Sequence, residues 1–246
     1  TDDRLIFEGF DRVTRFDGTP AFFYFHLMSA HILGKRLPRQ QVYESSNRGI
    51  FESNPILRIN NYDNSVLQVD AMIEQIFEGL RDKGYLEDAL IVILGDHGEG
   101  LGERPGPHGF GHRAWLYQPT LRIPLLIYDR VGATYANLNF ATQVDVAPTV
   151  IHRLGLQMPI SWEGKSLLDA AIKPYSYHYI DILPFYAVVH PTGGAVYKYL
   201  RQANREELFE LTSDPDERHD LMSSADNNLV HALRERLVNV LAATQP

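Results

Sequence analysis

Asp96 and His97 are the residues of this chain best placed to do chemistry. They follow the run Leu90-Ile91-Val92-Ile93-Leu94-Gly95 and precede Gly98-Glu99. Five consecutive apolar residues without alternation read as a strand buried on both faces of a parallel sheet. In an open α/β sheet, ligands bind outside the carboxyl ends of the strands. A carboxylate and an imidazole at that place offer one hard oxygen and one borderline nitrogen. Such a pair suits Mn²⁺ or Zn²⁺; Ca²⁺ and Mg²⁺, the alternatives, prefer oxygen ligands alone. Gly98, Gly100 and Gly102 let the backbone turn tightly and let a substrate come close. A plainer use of Asp96 and His97 is an N-cap and a solvated histidine at a strand-to-helix turn. Against it stands a second histidine cluster, His108-Gly109-Phe110-Gly111-His112, ahead of another apolar run from Ile123 to Tyr128. Two histidine-bearing loops leaving adjacent strands converge on one edge of a sheet.

Strands and helices must alternate to hold such loops, and the sequence reads that way. Residues 3–15 suit a short helix, and residues 21–28 a buried strand that would carry His26 as a core histidine. Residues 32–58 carry Gly, Pro, Arg and Asn with broken periodicity and read as a long loop over the site. Tyr62, Val66, Val69, Ile73, Ile76, Phe77 and Leu80 fall at helical spacing, with Gly84 as the stop. The strand at 89–95 then completes a strand-helix-strand unit. A Gly/Pro-rich loop at 98–113 leads through one helical turn to a strand at 122–128. A helix starts at Asp145 with Pro148 in its first turn. From about residue 175 the pattern changes to short strands at 176–180, 186–190, 195–201 and 208–211, with Gly193-Gly194 as a hairpin turn. An amphipathic helix at 226–242 closes the chain, with Leu229, Leu233, Leu237 and Val240 inward. The fold class is α/β.

Composition excludes several classes. The 246 residues are enough for one substantial core with a small appendage. Apolar and charged fractions of 44% and 22% are those of ordinary globular proteins. A net charge of -8 argues against nonspecific nucleic-acid binding. The absence of cysteine rules out disulfides and thiol chemistry. No run of about 18 apolar residues is present, so no membrane span is expected.

The motifs resemble, in number, order and spacing, those of the metal-dependent sulfatases and phosphotransferases of the alkaline phosphatase superfamily. Gly95-Asp96-His97-Gly98-Glu99-Gly100-Leu101-Gly102-Glu103, then Gly111-His112, then Arg122-Ile123-Pro124-Leu125-Leu126-Ile127 carry the likeness. So do Pro20 to Leu27 ending in Ala30-His31, Asp145-Val146-Ala147-Pro148-Thr149, Gly164-Lys165-Ser166-Leu167-Leu168, and Glu207 to Leu211 with Asp214-Pro215-Asp216-Glu217 and Asp220-Leu221. The match runs over about residues 20–221. It implies an alkaline phosphatase-like, mostly parallel sheet flanked by helices, with a small antiparallel C-terminal sheet and a terminal helix. Residues 1–174 would be the C-terminal part of the catalytic domain and residues 175–246 a small subdomain.

The resemblance also implies roles. Asp96 and His97 would bind a divalent metal ion. His31 and His112 would meet the nonbridging oxygens of an anionic ester, or protonate its leaving oxygen. Sulfatases of the family typically carry Asp-Asn at the first pair and hold Ca²⁺; members with Asp-His act more often on phosphorus esters, including phosphoethanolamine and phosphoglycerol transfer. Lys35 and Arg113 are weaker candidates for the anion, and Lys198 reads as solvated. The nucleophile of the family, a Ser, Thr or formylglycine, has no counterpart in these residues and is expected upstream. Asp2-Asp3 follows no apolar strand and is not read as the missing acidic ligand. An upstream membrane anchor, an extracytoplasmic location and self-association of the chain are further expectations. The alternative from another class is a non-catalytic module that keeps the fold and binds a lipid head group or a protein. A cofactor-independent mutase also carries Asp-His-Gly, but the Gly111-His112 and C-terminal segments argue against it.

Overall fold

The structure, a computed structural model, describes all residues except 1, 11, 32–33, 47–51, 105–109, 112–115, 131, 136–140, 170, 173–174, 181–184, 203 and 244–246. The chain divides into two compact units. One comprises Thr1–Ile93, Leu101–Pro105 and Leu126–Val131, the other Leu94–Gly100, Gly106–Leu125 and Gly132–Pro246.

In the first unit, helix α1 (Leu5–Phe10) and helix α2 (Pro55–Asp82) carry the core. α2 begins where Pro55 fits its first position and the Asn54 side chain accepts from Ile56 N–H at 3.0 Å. Its apolar side brings Ile76 and Leu80 against Phe10, with Phe23, Phe25 and Leu27 packed on them. Its polar side is buried as well. Asn64 and Gln68 serve the backbone of the preceding segment: Asn64 Oδ1 accepts from Val42 and Tyr43, and Gln68 binds Leu37 N–H and Lys35 O. The described residues of 32–54 form no helix or strand beyond a 3-10 turn at Pro38–Gln40, and they are tied down by an asparagine and glutamine row on α2, which itself begins at Pro55, inside the range expected as loop.

Three expectations change here. Residues 21–28 form no ladder, although their exposure alternates as in an extended chain: Phe23, Phe25 and Leu27 turn to the helices while Phe22, Tyr24 and His26 are exposed. His26 is thus a surface residue, beside the Tyr24 ring, rather than a core histidine. Strand β1 (Leu90–Leu94) is half-buried rather than buried on both faces.

After β1 come the two-residue strands β2 (Gly100–Leu101) and β3 (Phe110–Gly111), the helical turn α3 (Gln118–Leu121) and strand β4 (Leu125–Asp129). β1 and β4 are neighbours in a sheet. The Gly95 N–H bonds Pro124 O at 3.3 Å, so the end of β1 lies beside the start of β4, as in antiparallel pairs.

The second unit is built on a four-stranded antiparallel sheet in the order β5 (Tyr177–Ile180), β6 (Phe185–Thr192), β7 (Ala195–Gln202) and β8 (Arg205–Glu210). Alternation along the strands gives it two apolar faces. Ala187, Val189, Val196, Leu200 and Phe209 pack with Leu116 and Tyr117. Val188, Tyr199 and Leu208 pack under the closing helix α5 (Asn227–Ala243) through Val230, Leu233 and Leu237. The inward stripe of α5 thus contains Val230, with Leu229 only partly buried. Before this sheet, a 3-10 turn at Gln143–Asp145 runs directly into helix α4 (Val146–Arg153). Among the described residues no helix is long and apolar enough to cross a membrane.

Candidate active site

β1 delivers the chain to Gly95, and the next two residues present their side chains to solvent. Asp96 is 79% exposed and His97 40% exposed at the side chain. The His97 ring is nevertheless held. Its Nδ1 lies 2.8 Å from Gly98 O, a carbonyl acceptor, so Nδ1–H donates. Nε2 faces Asp96 Oδ2 at 3.7 Å. The other Asp96 oxygen, Oδ1, accepts the His97 N–H at 3.0 Å. As an exposed ion pair such an arrangement contributes only about 0–1 kcal/mol. As a pair of donors it fits a cation well. Two ligands about 2.1 Å from a tetrahedral ion stand about 3.4 Å apart, and histidine ligands characteristically give their other N–H to a carbonyl or carboxylate. Among the described residues, no third His, Cys, Asp or Glu joins them in a metal-sized cluster.

The backbone around the pair is held from two sides. The Gly98 N–H donates to Thr120 O at 2.9 Å. A Cβ on residue 98 would sit 2.1 Å from Pro119 O, so only glycine permits this approach. α3 is in turn fixed to the sheet by buried charge. Glu217 Oε2 accepts the Gln118 N–H at 2.8 Å, and Glu217 Oε1 meets Lys198 Nζ at 2.6 Å. Both ionic side chains are fully buried. Lys198, read from the sequence as solvated, is an inner strut, because β7 points it to the face that α3 covers. Next to it the Tyr117 hydroxyl donates to Glu207 Oε2.

The second hold comes from the Asp145 motif, whose role is structural throughout. Asp145 is fully buried and accepts from Thr142 N–H at 2.8 Å, Lys165 N–H at 2.8 Å and the Tyr175 hydroxyl. Burial, then the Asp145 carboxylate, pushes the Tyr175 hydroxyl well above the ordinary tyrosine range. Thr149 Oγ1 donates to Asp145 O at 2.6 Å and accepts from Leu167 N–H at 2.9 Å. The Asp-x-x-Pro-Thr and Gly-x-Ser-Leu motifs are thus two halves of one clip. Gln143 stands on this clip and reaches Gly95 O at 3.0 Å and Asp96 O at 2.7 Å.

His31 belongs to the other unit. It follows a turn whose N–H groups are gathered by Asp3. The Asp3 carboxylate accepts from Met28 N–H at 2.9 Å and, through Oδ2, from Ser29 N–H at 2.7 Å and Ser29 Oγ at 2.6 Å. Gln68 Nε2 adds a bond to Ser29 Oγ at 2.7 Å, and Arg36 donates to Ser29 O and His31 O. Burial draws the Arg36 pKa down from its ordinary value. Asp3 is therefore an internal cap of the His31 turn. Lys35, a weaker candidate for the anion, pairs with Asp2 at 3.1 Å. His112, His108 and Arg113 lie outside the described residues.

Comparison with known proteins decides the kinship. The Sulfatase family model matches residues 1–156, and the model described as N-sulphoglucosamine sulphohydrolase, C-terminal, matches residues 106–243. The chain belongs to the sulfatase family, within the alkaline phosphatase superfamily. It is similar to the N-acetylglucosamine-6-O-sulfatase of Bacteroides thetaiotaomicron, with 25% identity over 76% of this chain and 35% of the relative. A shorter stretch, 28% of this chain and 12% of the relative, is 40% identical to the Kdo(2)-lipid A phosphoethanolamine 7''-transferase of Salmonella typhimurium. A solved 2-O GAG sulfatase superposes with a TM-score of 0.61 and 16% identity, covering 84% of this chain and 48% of that one. The fold is accordingly alkaline phosphatase-like, with the antiparallel C-terminal sheet and terminal helix expected. The chain spans less than half the length of each of these relatives.

Proposed function

We propose that this chain carries part of the active site of a metal-dependent enzyme that hydrolyses or transfers phosphate or sulfate ester groups. The observation that carries the reading is the Asp96–His97 pair: Nδ1 committed to Gly98 O, and Nε2 3.7 Å from Asp96 Oδ2. These two residues would hold a divalent cation, Mn²⁺ or Zn²⁺ by their donor types, with Ca²⁺ or Mg²⁺ as alternatives. When bound, such an ion lowers the pKa of a nucleophilic hydroxyl and polarises the ester oxygen. His31 and His112 donate to the nonbridging oxygens of the anionic ester and supply the proton that leaves with the alcohol. Catalytic zinc sites commonly use three protein ligands. Asp96 and His97 thus need at least one further ligand, and attack by a hydroxyl nucleophile expels the alcohol and forms a phospho- or sulfo-enzyme that water or an acceptor resolves.

In this reading residues 1–174 carry the site and residues 175–246 brace it. An extracytoplasmic location rests on the same kinship. The Asp-His pair and the identity to a phosphoethanolamine transferase support phosphorus esters; the sulfatase relatives support sulfate. The test is made on the complete protein. Metal content is measured by elemental analysis, and turnover is followed on aryl phosphate and aryl sulfate mono- and diesters. Metal-dependent release of the aryl alcohol is expected. Full turnover after exhaustive chelation would sink the reading.

A further inference from the structure

We infer that Gln143 is a positioning residue for the cation-binding pair, setting the direction of the Asp96 carboxylate by clamping both of its flanking peptide planes. The inference rests on the metal reading of Asp96 and His97. The Gln143 amide donates to two successive carbonyl oxygens, Gly95 O at 3.0 Å and Asp96 O at 2.7 Å. These oxygens belong to the peptide planes on either side of the Asp96 Cα. Fixing both planes fixes the backbone dihedrals of Asp96, and with them the line along which its Cβ leaves the chain. Asp96 needs such a hold because it is exposed and follows a glycine, so packing does little to orient it.

The clamp has a rigid mounting. Gln143 opens the 3-10 turn whose last residue is Asp145, and the buried Asp145 carboxylate ties that turn to Thr142, Lys165 and Tyr175. Val144 O lies where a Cβ on Gly164 would be, 1.8 Å from it, so the turn is pressed against the 164–168 segment. The motif clip thereby reaches Asp96 through one side chain. A glutamine is suited to this role because its NH₂ carries two donors and can serve two acceptors, with no charge added beside a cation.

Metal binding by the complete protein tests this independently of turnover. Zn²⁺ and Co²⁺ are titrated into the wild type and into Asp96→Ala, Gln143→Ala and Gln143→Met, with the Co²⁺ d–d spectrum and the thermal midpoint recorded for each. Methionine fills the same volume without a donor. We expect both Gln143 variants to weaken binding by about tenfold or more, the usual scale for residues that orient ligands. Their thermal midpoints should stay at the wild-type value, and the Co²⁺ spectrum should change shape. Wild-type affinity in both Gln143 variants, with binding abolished by Asp96→Ala, overturns the inference and spares the metal reading. Restoration of affinity by Gln143→Met assigns the effect to packing and also overturns it. Wild-type binding in Asp96→Ala overturns the metal reading and the inference together.

Discussion

Four side chains are assigned the chemistry, and they differ in what their loss should do. Asp96 and His97 are exposed and contribute little to stability, so Asp96→Ala and His97→Ala should unfold within about 0.5 kcal/mol of wild type. In the complete protein the same variants should lose tight metal binding and turnover together. Near-normal metal content in either, measured by elemental analysis, would show that the ion is held elsewhere. His31 and His112 should behave in the opposite way. Their alanine variants should lower kcat by roughly 10²-fold or more, the scale of a lost acid or oxyanion donor, with metal content unchanged. Loss of metal in both would make them ligands. The placement of Asp96 and His97 just past a strand end was legible because an unbroken apolar run that stops at a glycine is a local pattern. Gln143 was not, because its two bonds reach 47 and 48 residues back along the chain, and side chain-to-backbone contacts leave no periodicity to read.

Among the elements, the antiparallel sheet and its closing helix carry the heaviest structural charge. Lys198 on β7 and Glu217 form a buried ion pair that also holds the Gln118 N–H at the start of α3. Lys198→Ala leaves a carboxylate buried without its cation, so a loss of about 3–5 kcal/mol is expected in denaturant unfolding. A loss under about 1 kcal/mol would mean that the interior there is wet. At the end of β8, burial works against the charge of Glu210, but hydrogen bonds from Ser213 and Thr212 outweigh it and bring the carboxyl down to about 2 from its ordinary 4.5. A pKa lowered by folding stabilises the protein above about pH 4.5 and loses that contribution as the pH falls toward 2. Thermal melts across that window should drop, and Glu210→Gln should flatten part of the drop; identical pH profiles would exclude Glu210 as a cause. Period-two alternation and Gly193-Gly194 made these strands readable in advance. The burial of Lys198 was not readable, since lysine in a Tyr-Lys-Tyr stretch is chemically indistinguishable from a solvated one until its acid, 19 residues on, is brought beneath it. The polar row of α2 misled in the same way: Asn64 and Gln68 look like a solvent face and are buried because a loop spends its backbone groups on them.

Taken whole, the chain keeps large apolar side chains in water. Phe22, Tyr24, Leu126 and Tyr128 of the first unit are each more than half exposed. Exposure of this kind favours association. Sedimentation of the isolated chain should show self-association that rises with concentration and falls in Phe22→Ser/Tyr128→Ser; a monomer at all concentrations would contradict it. The same chain, carrying two of the expected ligands, should show no ester hydrolysis above background. The bond from Gly98 N–H to Thr120 O bears on how such a protein can diversify. It closes the neck of an excursion that contains the segment with His112, while Asp96 and His97 stand outside the neck. Because closing a longer loop costs only slightly more than closing a shorter one, insertions and deletions between the two ends of that bond are tolerated ahead of the packed Leu116, Tyr117 and Gln118. Substrate preference would then drift in evolution while the cation-holding pair stays where it is, provided no side chain is added at residue 98.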